Sequence, residues 1–358
     1  MEPHNNEMRA VLQYDVGKVR FGRVPIPEVK NDEVLIRVSA AGLCGSDLHR
    51  RMSRYPLTPG HEISGEVWKV GCDVSSLAVG DHVVVAPLMP CYRCEYCRRG
   101  QYVHCRQYRY VGSSWSGGFA EYCVVPAQNA LKIDGRTPWH IAALVEPATV
   151  AFHAVERSGM RPGDTVVILG AGTIGLLLTK WARLLGAGTI VTTDTVDERL
   201  GVAKGFGASI CINVRESDAR AQIQSELGAD GADVVFEAVG AQATQRDSLE
   251  YVRHLGRVIW VGMPDDELVL PARLVQLSLR KEIMLTTSWG PYSNPFPGRE
   301  WQVVLSFIET GRLQLDDFPV AGAALEGAEL VYELAQSGKV SKPKILFRPD
   351  LSAEESEV

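Results

Sequence analysis

The segment Val166-Val167-Ile168-Leu169-Gly170-Ala171-Gly172-Thr173-Ile174-Gly175 restricts the fold more than any other part of the chain. Its four leading apolar residues, three of them β-branched, predict a fully buried parallel strand. The strand runs into Gly-x-Gly-x-x-Gly, and Thr173 and Ile174 open an apolar helix pattern that continues through Leu176, Leu177, Leu178 and Trp181. A second β-branched run, Thr189 to Thr193, ends in Asp194. A glycine turn alone is equally consistent with a structural bend. With a strand before it, a helix after it and an acid ending the next strand, it predicts dinucleotide binding. Gly170 permits the tight turn, Gly172 lets backbone approach a pyrophosphate, and Gly175 lets helix and strand pack closely, with the helix N-terminus facing the phosphates. Asp194 is placed to accept hydrogen bonds from a ribose 2′-OH, which favours NAD over NADP. Arg199 can accommodate a 2′-phosphate and keeps NADP open.

The alternation continues from about Arg161 to Thr287, with strands expected at 165–169, 189–193, 233–236, 257–261 and 283–287 and helical patterns between them. That is an α/β, doubly wound parallel sheet of the Rossmann kind, expected over 156–290. A proline- and glycine-rich loop, 290–298, breaks the pattern, and a helix is predicted from about Arg299 to Thr310. At 358 residues the chain is too long for one ordinary core. The second domain is expected at 1–155, completed by 291–358. Net charge is −6, which gives no reason to expect nucleic acid or an anionic membrane as partner. No apolar run is long enough to span a bilayer, and the first residues, MEPHNNEMRA, do not read as a signal peptide, so the expected location is cytoplasmic. The acidic tail from Ser352 to Val358 reads as a solvated end.

From Met8 to about Pro87 the signals are short β segments broken by Gly and Pro: Arg9–Tyr14, Glu33–Ser39, Ile63–Val70 and His82–Val85. Cys44 and His61 lie among them, and both are ligand types suited to zinc. A cysteine and a histidine 17 apart are weak evidence, since a buried thiol and a satisfied imidazole would look the same. Cys91-x-x-Cys94-x-x-Cys97-x7-Cys105 is stronger, because four thiolates within 15 residues form a closed all-sulfur set. It predicts a structural zinc, with an iron–sulfur cluster as the rival. Arg93, Arg98, Arg99 and Arg106 around it read as a solvated basic face. Cys72, Cys123 and Cys211 are expected to be small buried residues. Glu146 is an acid in an apolar setting before Pro147, and a buried carboxylate needs a partner such as a metal. His153 reads as a packing residue of the following helix.

In order, Gly42 to Asp47, Gly60-His61-Glu62, the four-cysteine lobe, Glu146-Pro147 and the nucleotide motif resemble the zinc-containing medium-chain dehydrogenases across essentially the whole chain. Glu146-Pro147 is similar to the sorbitol and polyol dehydrogenase branch; classical alcohol dehydrogenases carry a cysteine there. The resemblance implies a GroES-like β-rich catalytic domain joined to the Rossmann domain, and an assembly of two or four identical subunits. It implies that Cys44, His61 and Glu146 hold a catalytic zinc, with Glu62 as a possible alternate ligand. It further implies that Asp47 orients His61, that Ser46 and His49 relay a proton outward, and that Cys91, Cys94, Cys97 and Cys105 hold a structural zinc. The implied reaction is oxidation of a secondary alcohol of a polyol or polyol phosphate to a ketose or its phosphate, with hydride passing to NAD.

Substrate choice turns on His49-Arg50-Arg51-Met52-Ser53-Arg54, which follows Cys44 closely. Arg50 matches an arginine of the phosphate-polyol branch, and a guanidinium suits a phosphate. Three plain surface arginines are the competing reading. The alternatives are a free-polyol or L-threonine dehydrogenase and, more remotely, a catalytically silent family member. The last would have lost its metal ligands, and here all three are present. A nucleic-acid-binding zinc module would be basic, and this chain is acidic.

Overall fold

A computed structural model describes residues 6–216, 218–264 and 266–358. Positions 1–5, read above for a leader segment, lie outside them. The chain forms two compact units: one built from the chain up to Glu146 together with Pro291–Val358, the other from Pro147–Gly290. The break falls in the first turn of the helix Val145–Ser158, earlier than the expected 155/156. Packing explains the difference. Phe152 of this helix stacks on Trp181 at 4.7 Å between ring centroids, and Trp181 Nε1 donates to Ala148 O at 3.1 Å. The body of the helix therefore belongs to the nucleotide-type unit.

That unit holds a six-stranded parallel sheet in the order Ile210–Asn213, Thr189–Asp194, Thr165–Leu169, Ala232–Glu237, Val252–Trp260, Met284–Thr287. Numbered by appearance this is 3-2-1-4-5-6, the doubly wound order whose ligand crevice lies at the carboxyl ends where the order reverses. Val166, Val167 and Ile168 are fully buried, as a strand covered on both faces requires. Each such side chain contributes roughly 1.5–3 kcal/mol. The strand Ile210–Asn213 was not expected, because its four residues end in Asn and follow Gly-Ala-Ser, which reads as a turn.

In the other unit the strand Glu33–Gly42 is the spine of a seven-stranded sheet. It pairs antiparallel with Glu62–Val70, Tyr122–Pro126 and the late strand Lys344–Phe347. The last pairing brings residues from the end of the chain beside Gly42 and Glu62. Ile36, Ile63, Phe119 and Phe347 lie in one buried cluster, and the Phe119 and Phe347 rings are 4.5 Å apart. The helix at 299 is present as Arg299–Glu309. Of the isolated cysteines Cys123 is buried as expected, but Cys72 is exposed and Cys211 half-buried. Cys72 follows Gly71 in the turn just past the end of Glu62–Val70, outside the sheet. Among the described residues no helix is long and apolar enough to cross a membrane.

Candidate active site

Cys44 caps the short helix Gly45–His49 immediately after the spine strand ends. Its backbone N–H donates to Asp47 Oδ2 at 3.0 Å, a capping bond that draws Asp47 back toward the strand end. Asp47 is fully buried, and its other oxygen faces His61 Nδ1 at 3.3 Å. His61 follows Gly60, whose φ is +92° and whose added Cβ would lie 2.4 Å from the Phe119 ring. Only glycine lets the chain turn there and present the imidazole. Cys44, His61 and Glu62 bring their ligand atoms within 4.8 Å of one another. Glu146 is buried beside this group but is not part of it; Tyr110 OH donates to Glu146 Oε1 at 3.4 Å.

Glu62 is held by a residue the sequence reading missed. Lys344 Nζ donates to both Glu62 oxygens, at 2.9 and 2.6 Å, and to Leu43 O at 2.9 Å. Both side chains are almost completely buried. Lys344 begins an apolar run after Lys342-Pro343, and a buried lysine demands an anion. That was the one available signal, and it does not say which anion.

The electrostatics fit a divalent cation. Three buried acidic side chains (Asp47, Glu62, Glu146) and Cys44 gather around two fixed cations, Lys344 and Arg50. Burial pushes the Glu146 carboxyl up to about 7; neighbouring Glu62 adds to this, and His61 opposes it. Burial alone would push His61 down, but Asp47 and Cys44 outweigh it and hold the imidazole well above its ordinary range. The site calls for positive charge at that ring, which a metal held by His61 would supply with the imidazole neutral. Thiolate, imidazole and carboxylate are together a zinc-type donor set.

Ser46 Oγ lies 3.4 Å from Cys44 Sγ and accepts from Arg50 Nη2 at 2.8 Å. The Arg50 guanidinium also lies over the Tyr110 ring, 5.0 Å from its centroid. Arg51 and Arg54 are exposed, so of the three arginines only Arg50 joins the site. His49 is exposed at the helix end. Tyr292 is buried, and burial, with Glu146 close by, pushes its phenol well above the ordinary range. Nothing in its proline-rich surroundings had marked it as a site residue.

The four cysteines of the lobe also bring their sulfurs within 4.8 Å of one another. Cys91 N donates to Cys105 Sγ at 3.2 Å and Cys94 N to Cys91 Sγ at 3.4 Å. Backbone donors aimed at sulfur favour thiolates, as an all-sulfur zinc site requires. Arg93, Arg98, Arg99 and Arg106 around it are exposed.

In the other unit Gly170 has φ +97°, and Gly175 passes so close that an added Cβ would lie 1.7 Å from Gly170 O. Gly172 caps the helix Thr173–Leu184, and the space where its Cβ would stand is open. Asp194 Oδ2 accepts from Ala171 N at 2.7 Å, and Oδ1 from Thr195 N and Val196 N at 2.8 and 3.0 Å. The acid therefore braces the glycine turn from the neighbouring strand end. Arg199 is half-buried on the next helix, Asp197–Gly205.

Residues 30–135 match the alcohol dehydrogenase GroES-like domain, and residues 173–310 the zinc-binding dehydrogenase domain. Galactitol 1-phosphate 5-dehydrogenase of Escherichia coli (strain K12) is 35% identical over 342 residues, covering 94% of this chain and 99% of that protein. Sorbitol dehydrogenase of Bacillus subtilis (strain 168) is 37% identical over 352 residues, covering 96% and 98%. The crystal structure of galactitol-1-phosphate dehydrogenase from Escherichia coli superimposes with a TM-score of 0.87 at 35% identity, covering 96% of this chain and 100% of that one. A zinc-binding dehydrogenase from Sinorhizobium meliloti 1021, solved with NADP, has a TM-score of 0.84 at 29% identity, covering 96% and 100%. With its fold, its two clusters of metal-binding side chains and these end-to-end matches, the chain belongs to the zinc-binding alcohol dehydrogenase family.

Proposed function

We propose that this enzyme oxidises a secondary alcohol of a polyol phosphate, of the galactitol 1-phosphate kind, to the ketose phosphate with NAD as hydride acceptor. The observation that carries the phosphate is Arg50, a cation turned inward onto Ser46 and Tyr110 beside Cys44. The 35% identity to galactitol 1-phosphate 5-dehydrogenase supports the same class.

Zinc, when bound, supplies a Lewis acid for the substrate hydroxyl, and the nicotinamide supplies the hydride acceptor. The chain does the rest. Cys44, His61 and one carboxylate, Glu146 or Glu62, hold the metal. Asp47 fixes the His61 ring by facing Nδ1, which leaves Nε2 for the metal. Ser46 relays the hydroxyl proton, accepting it as its own Oγ proton leaves, and the bond donated by Arg50 stabilises the negative charge its oxygen carries in passing. His49, at the exposed end of the helix, passes the proton to solvent. Cys91, Cys94, Cys97 and Cys105 hold the structural zinc. In the nucleotide unit Gly170, Gly172, Thr173, Ile174 and Gly175 seat the pyrophosphate, and Asp194 favours NAD, with Arg199 the group that would admit NADP. Eight unbridged cysteines support a reducing, cytoplasmic location. A homodimer or homotetramer is supported by the apolar edge strand Met284–Thr287, where Met284 and Leu285 are exposed.

The test is NADH formation with galactitol 1-phosphate, galactitol, sorbitol and L-threonine, each with and without a zinc chelator. A chelator-sensitive preference for the phosphorylated polyol is expected. Preference for free polyol, the reading that 37% identity to sorbitol dehydrogenase favours, or for L-threonine discards the phosphate. No reduction of NAD or NADP with any of them overturns the proposal entirely.

A further inference from the structure

Glu237 ends the strand beside the glycine turn and is fully buried, yet nothing in the chemistry above uses it. Its Oε1 accepts from Val239 N at 2.9 Å, Gly240 N at 2.8 Å and Thr244 Oγ1 at 2.7 Å. Its backbone carbonyl accepts from Val261 N at 2.9 Å and Gly262 N at 3.0 Å. One residue thus collects five donors: four from the two turns at the carboxyl ends of Ala232–Glu237 and Val252–Trp260, and one from Thr244 on the helix Gln242–Tyr251. The turns lie backbone against backbone. An added Cβ at Gly240 would lie 2.3 Å from Met263 O, and one at Gly262 would lie 2.2 Å from Gly240 N and 2.8 Å from Glu237 Oε2. The carboxylate sits before the N-terminus of the helix Gln242–Tyr251, whose dipole favours its charge.

These turns lie on one side of the point where the strand order reverses, and Asp194 lies on the other. Val239 is packed over Gly170, where an added Cβ would meet its Cγ2 at 2.5 Å. Val239, beside the phosphate turn, and Met263, against Gly240, stay about half exposed, at 49% and 57%. A dinucleotide with its adenosine at Asp194 and its pyrophosphate at Gly172 lays its other half along these turns. We infer that Glu237 is a positioning residue that presets the two turns seating the nicotinamide half of the dinucleotide, without touching it. This rests on the dinucleotide reading above.

A carboxylate is needed for a physical reason. In Glu237→Gln the amide oxygen can still accept at the Oε1 position, but a larger NH₂ replaces Oε2, which is buried against Gly262 with no hydrogen-bond partner among the described residues. Thr244→Val removes one of the three donors at nearly constant shape.

The experiment measures binding of NADH and of ADP-ribose, which lacks nicotinamide, to the zinc-loaded full-length protein and both variants. Glu237→Gln is expected to raise Kd for NADH about tenfold and Thr244→Val about threefold, with ADP-ribose changed less than about twofold. KM for NAD should rise in step while KM for the polyol stays unchanged. Equal weakening of both ligands, or of neither, overturns the inference. Should Glu237→Gln fail to fold, Thr244→Val alone decides by the same ratio. Wild-type protein that binds neither ligand removes the dinucleotide reading itself; wild-type binding of both with unmoved variants removes only the role of Glu237.

Discussion

Arg50 serves two groups at once, donating to Ser46 Oγ and covering Tyr110. Arg50→Ala is therefore expected to lower kcat for every substrate, but to raise KM about tenfold for a polyol phosphate alone, the loss of one charge-assisted contact. Steady-state kinetics with galactitol 1-phosphate and galactitol checks this, and equal KM changes would sink the phosphate contact. Lys344 makes a different kind of claim. Removing it strands the buried Glu62 carboxylate, so Lys344→Met should cost about 3–5 kcal/mol. Pairing it with Glu62→Gln should restore most of the loss, because the pair is then replaced together. Thermal unfolding of the two variants and the double variant reads this directly; a Lys344→Met protein as stable as wild type would show that the pair holds nothing. Neither residue's role was legible locally. Arg50 was one of three arginines in a row of six residues, and only the turn of the chain after the helix Gly45–His49 separates it from Arg51 and Arg54.

The short helix Gly45–His49 is too brief to stand by propensity and is held by its cap, in which Asp47 braces Cys44. The parallel sheet has its own clamp. Asp233 Oδ2 accepts from Thr165 N at 2.8 Å, and Oδ1 from Arg253 Nε at 2.7 Å, so one carboxylate ties three strands at their amino ends. Burial works against this ionised carboxyl, but the Thr165 N–H and Arg253 outweigh it and hold it below the ordinary range. A depressed carboxyl stabilises fully above its unfolded value near 4 and loses that contribution as pH falls through its lower folded value. Asp233→Asn should therefore cost about 1–2 kcal/mol at neutral pH, and the gap to wild type should close as the pH drops below about 4. Denaturant midpoints across that range measure it; a constant gap would mean that charge plays no part. At this level the pattern was readable where elements repeat. The strands at 165–169 and 189–193 matched, because unbroken β-branched runs between glycines have few other uses. The strand Ile210–Asn213 was not, since its pairing to Thr189–Asp194 rather than its composition makes it a strand.

The parallel sheet ends in Met284–Thr287 with Met284 at 63% and Leu285 at 43% exposed, an edge that natural proteins rarely leave bare. Sedimentation should find wild-type protein as two or more copies. Leu285→Asp should shift it to the monomer while NADH binding persists; a monomeric wild type would refute the assignment of that edge. Fold class and the four-cysteine cluster could be read before any coordinates, because each rests on residue types at short, fixed spacings; the family, and with it the site at Cys44 and His61, came from a resemblance spread along the whole chain. Gly170 to Gly175 and Cys91 to Cys105 are complete within one turn or one loop, so local geometry follows from spacing. The partner of Glu62 could not be read that way. Lys344 lies 282 residues further on and reaches Glu62 only because its strand pairs beside Gly42. The same holds for the grouping of Glu62 rather than Glu146 with Cys44 and His61, and for Glu237, whose five donors come from two turns brought together by strand order and from the helix that follows the first of them. Spacing along the chain specifies chemistry that one turn or loop can complete; which distant charges meet is decided by sheet register and burial, where an unpaired ion is too costly to leave alone.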